Sequence, residues 1–287
     1  MSSLDHKIDF SVVLSVTCAN PNGDPLNGNR PRQNYDGYGE ISDVALKRKI
    51  RNRLQDMGEA IFVQSNDRKV DEYGSLRERA EGNDKFSQVL KAKKSSSDDV
   101  AKVACEEWID VRSFGQVFAF KGASSGGGVS VGVRGPVSIH TARSIDPIDI
   151  TSMQITKSVN SEPGNDRGSD TMGMKHRVDF GVYVFHGSIN TQLAEKTGFS
   201  NEDADKIKQA LLTLFENDLS SARPEGSMEV HKVYWWEHNS KLGQYSSAKV
   251  HRALNIKSEV EEPRSFEDYV IELSELDDLK VEVLDGR

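Results

Sequence analysis

The segment that most constrains the fold runs from residue 8 to residue 18, where side chains alternate with a period of two. One set is largely apolar, and it consists of Ile8, Phe10, Val12, Leu14, Val16 and Cys18. The other set is largely polar, and it consists of Asp9, Ser11, Val13, Ser15 and Thr17. Because successive residues of a strand point to opposite sides, this pattern predicts a β-strand with one buried face and one free face.

A compact loop follows the predicted strand. Residues 20–31 contain three prolines and two glycines, which is typical of a turn-rich connection. The backbone N–H groups of this loop, with Asn20, Asn22 and Gly23, could bind a sugar or a phosphate. Asp24 has two interpretations that the residues leave open, a turn former or a metal-ligating or general-base carboxylate.

A basic helix comes next. Ser42 is a good N-cap, and an apolar stripe through Leu46 predicts a helix that ends near residue 58. At 100° per residue, Lys47, Arg48 and Arg51 fall within about 100° of one another on the predicted exposed side. Asp43 is the only acidic residue between positions 41 and 55. We therefore expect these cations to be largely unpaired within the helix and to favour a phosphate backbone.

The remaining chain divides by composition into further segments. Residues 59–110 predict a polar helical insertion, residues 111–157 predict strands with a glycine-rich loop, and residues 158–176 predict a long polar loop. Residues 177–256 predict a strand, a second helix with its N-cap at Ser200, and a strand at residues 228–237. The order fits an α+β fold of the ferredoxin-like or RNA-recognition type.

The charge distribution removes one objection to a nucleic-acid partner. The chain has 287 residues and a net charge of −8, but residues 257–287 alone carry four basic and eleven acidic residues. The rest of the chain is therefore nearly neutral and can hold basic patches. We predict no membrane span and no signal peptide, and we predict a cytoplasmic protein. The two cysteines and the scattered histidines predict no catalytic set, metal site or cofactor.

Two further segments contain candidate contacts to a phosphate backbone. Arg134 follows a glycine-rich stretch that lacks the Gly-Lys-Ser/Thr ending of a nucleotide-binding P-loop. Lys175 and His176 end the polar loop, and Met172 and Met174 precede them. A methionine there could wedge between bases, or it could pack locally.

Several uncommon strings occur together in this chain. They are Asn20-Pro-Asn-Gly-Asp-Pro25, Gly28-Asn-Arg-Pro-Arg32, Ser42-Asp-Val-Ala-Leu-Lys-Arg-Lys-Ile-Arg51, Asp110-Val-Arg-Ser-Phe-Gly115, Val133-Arg-Gly-Pro-Val137, Ala142-Arg-Ser-Ile-Asp-Pro147, Met172-Gly-Met-Lys-His176 and Phe215-Glu-Asn-Asp218. With them the chain resembles the CRISPR-associated "Cas seven" backbone subunits of type I Cascade complexes, and the strings together indicate the I-C subtype.

This resemblance implies a modified RNA-recognition-motif palm (residues 1–58, 111–157 and 177–256), a helical fingers insertion (residues 59–110), a thumb hairpin (residues 158–176) and an acidic C-terminal segment (residues 257–287). It implies a non-catalytic subunit that forms a helical filament with further copies along the CRISPR RNA (crRNA). Target DNA would pair with that guide, and end-capping, large and small Cascade subunits would be partners.

The resemblance also implies roles for the matched residues. Lys47, Arg48 and Arg51 would hold guide phosphates, and Asn20, Asn22 and Gly23 would line the same groove. Arg134 would lie on a palm loop, and Met172 or Met174 would displace a base. The alternative is a metal-dependent ribonuclease subunit that cuts target RNA through Asp24, and a protein-only interaction module is a further rival.

Overall fold

The structure, a computed structural model, describes residues 3–92, 95–120, 129–157 and 172–287 and combines helices with a large antiparallel sheet. The strands are β1 (Ile8–Ala19), β2 (Gly23–Asp24), β3 (Arg30–Pro31), β4 (Tyr38–Ile41), β5 (Gly115–Phe120), β6 (Val129–Arg134), β7 (Val137–Ile139), β8 (Ala142–Pro147), β9 (Ile150–Thr156), β10 (Met172–Ile189), β11 (Met228–Glu237), β12 (Leu254–Ser258), β13 (Tyr269–Leu273) and β14 (Val281–Asp285). The helices are α1 (Asp43–Asp56), α2 (Leu76–Gly82), α3 (Asp84–Lys91), α4 (Ser97–Glu107), α5 (Ile109–Phe114), α6 (Thr191–Thr197), α7 (Asn201–Leu212) and α8 (Ser247–His251).

The main sheet has the strand order β14-β11-β1-β10-β8-β4. The central strand β1 pairs antiparallel with β10, from Ile8 opposite Ile189 to Ala19 opposite Val178, and with β11 on its other side. The far edge of β10 pairs in turn with β9, β8 and β7. The strand predicted at residues 8–18 is confirmed, and it is the central strand of the sheet.

One face of the sheet is covered by α1 and α7. Phe10, Val12 and Leu14 of β1 are fully buried there in one apolar core with Ile50 of α1 and Leu211 of α7. Both helix starts agree with the sequence-based expectation. Ser42 caps α1 by accepting a hydrogen bond from Ala45 N, and Ser200 forms a capping box with Asp203 at α7.

The second face of β1 is also buried, so the predicted free face is wrong. Asp9 and Ser11 have no exposed surface, and Val13 belongs to a second apolar cluster with Val250 of α8 and Tyr269 of β13. The cover comes from residues beyond 245, including much of the acidic C-terminal segment, and β14 from that segment extends the sheet beside β11. The acidic segment is therefore an integral part of the fold.

A helical lobe stands beside the sheet with its own core. Phe62, Phe86 and Trp108 pack with Phe118 of β5, and the ring centroids of these aromatic neighbours lie 4.7–5.2 Å apart. The predicted helical insertion is therefore present, but it is larger than expected. Strands β5 and β6 form a separate two-stranded sheet that contributes to this core. They lie in residues 111–157, which were predicted to belong to the palm.

Strands β9 and β10 form a ribbon at the end of the main sheet. Met172 pairs with Thr156 and His176 with Ser152, so the residues from Met172 to His176 are strand, not the loop that was predicted. The remainder of the predicted thumb, residues 158–171, lies outside the described residues. Among the helices of the described residues, none is long and apolar enough to cross a membrane.

Candidate nucleic-acid interface

A polar cleft joins three segments that are far apart in the sequence. The loop after β1, the middle of α1 and the loop of residues 217–223 surround a volume of about 270 Å³. Its lining includes the backbone or side chains of Asn22 and Gly23. Its cations are Arg48, Lys49, Arg68 and Arg223, and its acids are Asp67 and Asp218. We call this the guide cleft, after the guide RNA that the resemblance predicts for these residues.

Local hydrogen bonds hold the loop of the guide cleft in place. Asn22 Oδ1 accepts a hydrogen bond from Ser42 N (2.9 Å), which fixes the loop against the start of α1. A side chain at Gly23 would place its Cβ 2.0 Å from Asn29 Oδ1, so the close approach requires glycine. Asn20 is buried and donates from Nδ2 to Asn29 O (2.7 Å), which makes it a brace behind the loop.

Asp24 has the contacts of a turn residue. Its Oδ1 accepts a hydrogen bond from Leu26 N (3.2 Å), and Arg32 Nη2 lies 3.6 Å from the same oxygen. Within the described ranges, no group of three or more histidine, cysteine or acidic side chains is arranged to hold a metal ion. No observed contact favours the ribonuclease alternative.

The cations of α1 have few partners within the helix, as expected, but most of them are paired with acids from distant segments, so the expectation that they remain free for a phosphate backbone is wrong. Lys47 Nζ lies 3.0 Å from Asp43, and Arg51 Nε lies 3.0 Å from Asp110 Oδ2. Asp110 is fully buried and also accepts hydrogen bonds from the backbone of Phe62 and Val63. Arg51 therefore joins α1 to the helical lobe, and 12% of its side chain is exposed.

Lys49 of α1 is buried in an ion pair with Asp218. Burial lowers the pKa of Lys49 to about 8, although the Asp218 charge acts in the opposite direction. Arg223 Nε also donates to Asp218 (3.2 Å). One carboxylate thus fixes two cations at the floor of the guide cleft.

Arg48 differs from its neighbours. Its Nη1 donates to Val63 O (2.6 Å), and in the part of the chain that the structure describes no carboxylate lies within ion-pair distance of its guanidinium. Burial, with a smaller effect from Arg51, lowers the pKa of Arg48. A guanidinium has five N–H donors, so several remain for a ligand.

Arg68 and Arg223 are the cleft residues that sequence reasoning missed. Arg68 donates to Asn217 O (2.5 Å) and pairs with Asp56, and both contacts are long-range in sequence. The sequence contained one signal for Arg223, because its partner Asp218 occurs in a string that carried the family resemblance, as does Asp110, the partner of Arg51. Charged residues in such strings are candidates for partners of the helix cations.

The other predicted contacts lie outside the guide cleft. Arg134 is exposed at the end of β6 and lines a different cleft. On the ribbon, Met172, Met174 and His176 share one face, while Lys175 is on the other, because alternate residues of a strand point to opposite sides. Met172 and Met174 are 58% and 55% exposed.

Comparison with known proteins places these features in a family. Residues 6–274 match the family described as "CRISPR-associated protein Cas7". The "CRISPR-associated protein Cas7" of Haloferax volcanii is 26% identical over 290 residues, covering 94% of this chain and 82% of the relative.

Two solved structures have a loosely similar fold. A chain of a "CRISPR RNA-guided surveillance complex, pre-nicking" is 17% identical with a TM-score of 0.47, and the match covers 80% of this chain and 75% of that one. A chain of a "CRISPR RNA-guided surveillance complex" is 16% identical with a TM-score of 0.46, and the match covers 80% and 68% respectively. The match of the family over nearly the whole chain shows that this protein belongs to the CRISPR-associated protein Cas7 family.

Proposed function

We propose that this protein is a non-catalytic backbone subunit of a type I-C CRISPR Cascade complex. Copies would polymerise along the crRNA spacer and present it for pairing with target DNA, beside end-capping, large and small subunits. Family membership supports the backbone role, and the matched strings support the subtype. Base pairing would read the sequence, while the protein holds the phosphate backbone.

The topology supports a palm of the RNA-recognition type. After β1 come α1, the β7–β9 strands, β10, α7 and β11, and β1 lies between β10 and β11. Both long helices pack on one face of the antiparallel sheet. This is the order of a split βαβ unit with insertions, in which the helical lobe would form the fingers and the β9–β10 ribbon the base of the thumb.

The guide cleft is the observation that carries the proposal. It combines a glycine-bearing loop, several fixed cations and the donors of Arg48 that have no carboxylate partner among the described residues. Phosphate oxygens are acceptors, and charge-assisted N–H donors bind them strongly. We assign the main phosphate contact to Arg48, with Arg68 and Arg223 beside it and Asn22 and Gly23 lining the loop side.

The remaining predicted residues, apart from Arg134 in the cleft beside β6, have supporting parts in this proposal. Lys47 and Arg51 are engaged with Asp43 and Asp110, so they would contribute to the potential around α1 more than to direct contacts. Asn20 would keep the loop in position. Met172 and Met174 are the wedge candidates, and Lys175 and His176 would contact phosphates on either side of the ribbon.

The test is binding of a fluorescently labelled single-stranded RNA to Arg48→Gln protein, measured by anisotropy at several salt concentrations. We expect binding to weaken about tenfold and the salt slope to fall by about one unit, because one phosphate contact is lost. The matched control is Lys85→Gln, which removes one positive charge from the helical lobe at a side chain 74% exposed. Equal effects of the two substitutions would show that the guide cleft does not hold the RNA.

A further inference from the structure

A second cleft lies between the helical lobe and α6, away from the guide cleft. It encloses about 670 Å³ and is bounded by α4, β6 and α6. Lys102, Arg134 and Lys196 supply its positive charge, and Leu193 and Val133 supply apolar surface. We call it the lobe cleft.

The lobe cleft offers hydrogen-bond donors that have no acceptor in the part of the chain that the structure describes. Among the described residues, Arg134 and Lys196 have no ion-pair partner, and Lys102 has only Glu106 at 4.0 Å. Thr197 is 6% exposed, lines the cleft, and its hydroxyl has no hydrogen-bond partner among those residues. Asp98 is the one acid in the lining. Such a site fits a carboxylate-bearing segment with some apolar surface.

The same chain carries a segment of that chemistry. The loop between β12 and β13 begins with Glu259, Val260, Glu261 and Glu262, all exposed, and Val260 is 45% exposed. Glu262 pairs with Arg264 (3.0 Å), while Glu259 and Glu261 have no cation within ion-pair distance in the described part of the chain. We call residues 259–261 the acidic tip. It projects carboxylates around an apolar side chain, which complements the lining of the lobe cleft.

The lobe cleft and the acidic tip lie at opposite ends of the central strands. Helix α6 directly follows Ile189, which pairs with Ile8 at the start of β1. Glu261 lines a groove with Thr17 and Phe180 at the other end of β1. Nine residues of strand separate Ile8 from Thr17, or about 30 Å. One copy therefore cannot place its own tip in its own lobe cleft.

We propose that the acidic tip of one copy docks in the lobe cleft of the next copy. This inference rests on the proposed backbone function and names the surfaces by which copies would assemble. Because the two surfaces differ and lie at opposite ends, the contact is heterologous, and repetition of it generates an open helix when the rotation does not close. The occupant of the lobe cleft is thus a second copy of this chain, bound through carboxylates.

The test uses two charge-reversed proteins. One carries Arg134→Glu and Lys196→Glu in the lobe cleft, and the other carries Glu259→Lys and Glu261→Lys in the acidic tip. Each is mixed with a single-stranded RNA long enough for several copies and sized by light scattering. We expect wild-type protein to form multimers and each variant alone to remain at one copy per RNA or to lose at least tenfold in assembly affinity.

The decisive sample is an equimolar mixture of the two variants. Each variant presents like charges at both ends, so the mixture can alternate opposite charges, and we expect multimers to return. The matched controls are Glu225→Lys and Lys280→Glu, which change charge at exposed positions outside both surfaces and should assemble as wild type does. Thermal unfolding curves identify any variant that fails to fold.

Three results would overturn the inference. The first is normal assembly of either variant alone, and the second is failure of the mixture to assemble when both variants are folded. The third is that Arg134→Glu with Lys196→Glu weakens binding of an RNA too short for two copies while the tip variant assembles normally, which would make the lobe cleft an RNA site. Failure of wild-type protein to assemble on RNA would instead count against the proposed function itself.

Discussion

The two faces of β1 are both buried, but they are built from different chemistry. On the face under α1 and α7, side chains such as Phe10 and Leu14 form a continuous apolar core. On the face under α8 and the C-terminal strands, Asp9, Ser11, His186 and His251 are held by hydrogen bonds. An apolar face tolerates any cover of the right shape, whereas a buried polar face requires partners at fixed positions.

We expect the largest loss of stability from a substitution on the apolar face. Phe10→Ala removes a fully buried ring that stacks on Trp235 at 5.6 Å, and we expect the free energy of unfolding to fall by about 3–5 kcal/mol. Urea denaturation followed by tryptophan fluorescence measures this loss. Leu26→Ala is the control, because Leu26 is 98% exposed and its truncation should change stability little. A loss below that of Asp9→Asn would contradict this ranking of the faces.

Asp9→Asn tests the polar face. Asp9 lies 2.8 Å from His238 Nε2 and 3.0 Å from Lys7 Nζ. Burial alone would raise the pKa of Asp9, but the polar groups of His238, Ser247 and Lys7 around it keep that pKa lowered. Loss of the charge leaves the Lys7 ammonium without its carboxylate partner, so we expect about 3 kcal/mol of destabilisation. Adding Lys7→Met to Asp9→Asn should recover part of that loss, and strictly additive losses would show that the two charges do not interact.

The buried histidine of the polar face should make the stability of the protein sensitive to acid. Burial, with smaller effects from His251 and His140, lowers the pKa of His186 to about 4. The unfolded chain takes up this proton near pH 6.5, so stability is complete above that pH and falls as the pH drops towards 4, by up to about 3 kcal/mol. Unfolding curves of wild type and His186→Asn at several pH values measure the difference, and parallel curves would exclude His186 as its source.

The smallest effect is expected at the edge of the polar face. Tyr269 of β13 is 8% exposed, and burial, with a smaller effect from the Asp146 carboxylate, raises the pKa of its hydroxyl. Tyr269→Phe should cost at most about 1 kcal/mol, because only the polar interaction of the hydroxyl is removed while the ring remains packed. The rate of backbone amide hydrogen exchange should increase mainly in β12 and β13. An equal increase of the exchange rate across the whole sheet would show that the β12–β13 hairpin does not open independently.

Sequence patterns predicted the apolar face and missed the polar one for a physical reason. Alternation reports which side of a strand is apolar, so β1 was found, but it cannot show that Asp9 and Ser11 are covered by residues beyond 245. The N-caps of α1 and α7 were predicted correctly because each capping side chain and the backbone group that it binds lie within four positions of each other in the sequence. Strands β5 and β6 were expected in the main sheet but belong to the helical lobe. The pattern of two strands in the sequence does not show which core they pack against.

The candidate site shows the same limit. The loop at Asn22 and Gly23 and the cation at Arg48 were predicted from local pattern, and the structure brings them together. The pairing of Arg51 with Asp110 and of Lys49 with Asp218 joins residues 59 and 169 positions apart, which no local spacing reveals. Charge counted along one helix therefore overstated how many cations are free.

The position of β1 between β10 and β11 has a consequence for synthesis. The central strand β1 leaves the ribosome well before its partner β11, which begins at Met228. At roughly 5–20 residues per second, about 10–40 s pass before that partner is made. During this interval the largely apolar strand β1 has an unpaired edge, so nascent chains of this protein are candidates for chaperone protection until β11 has emerged.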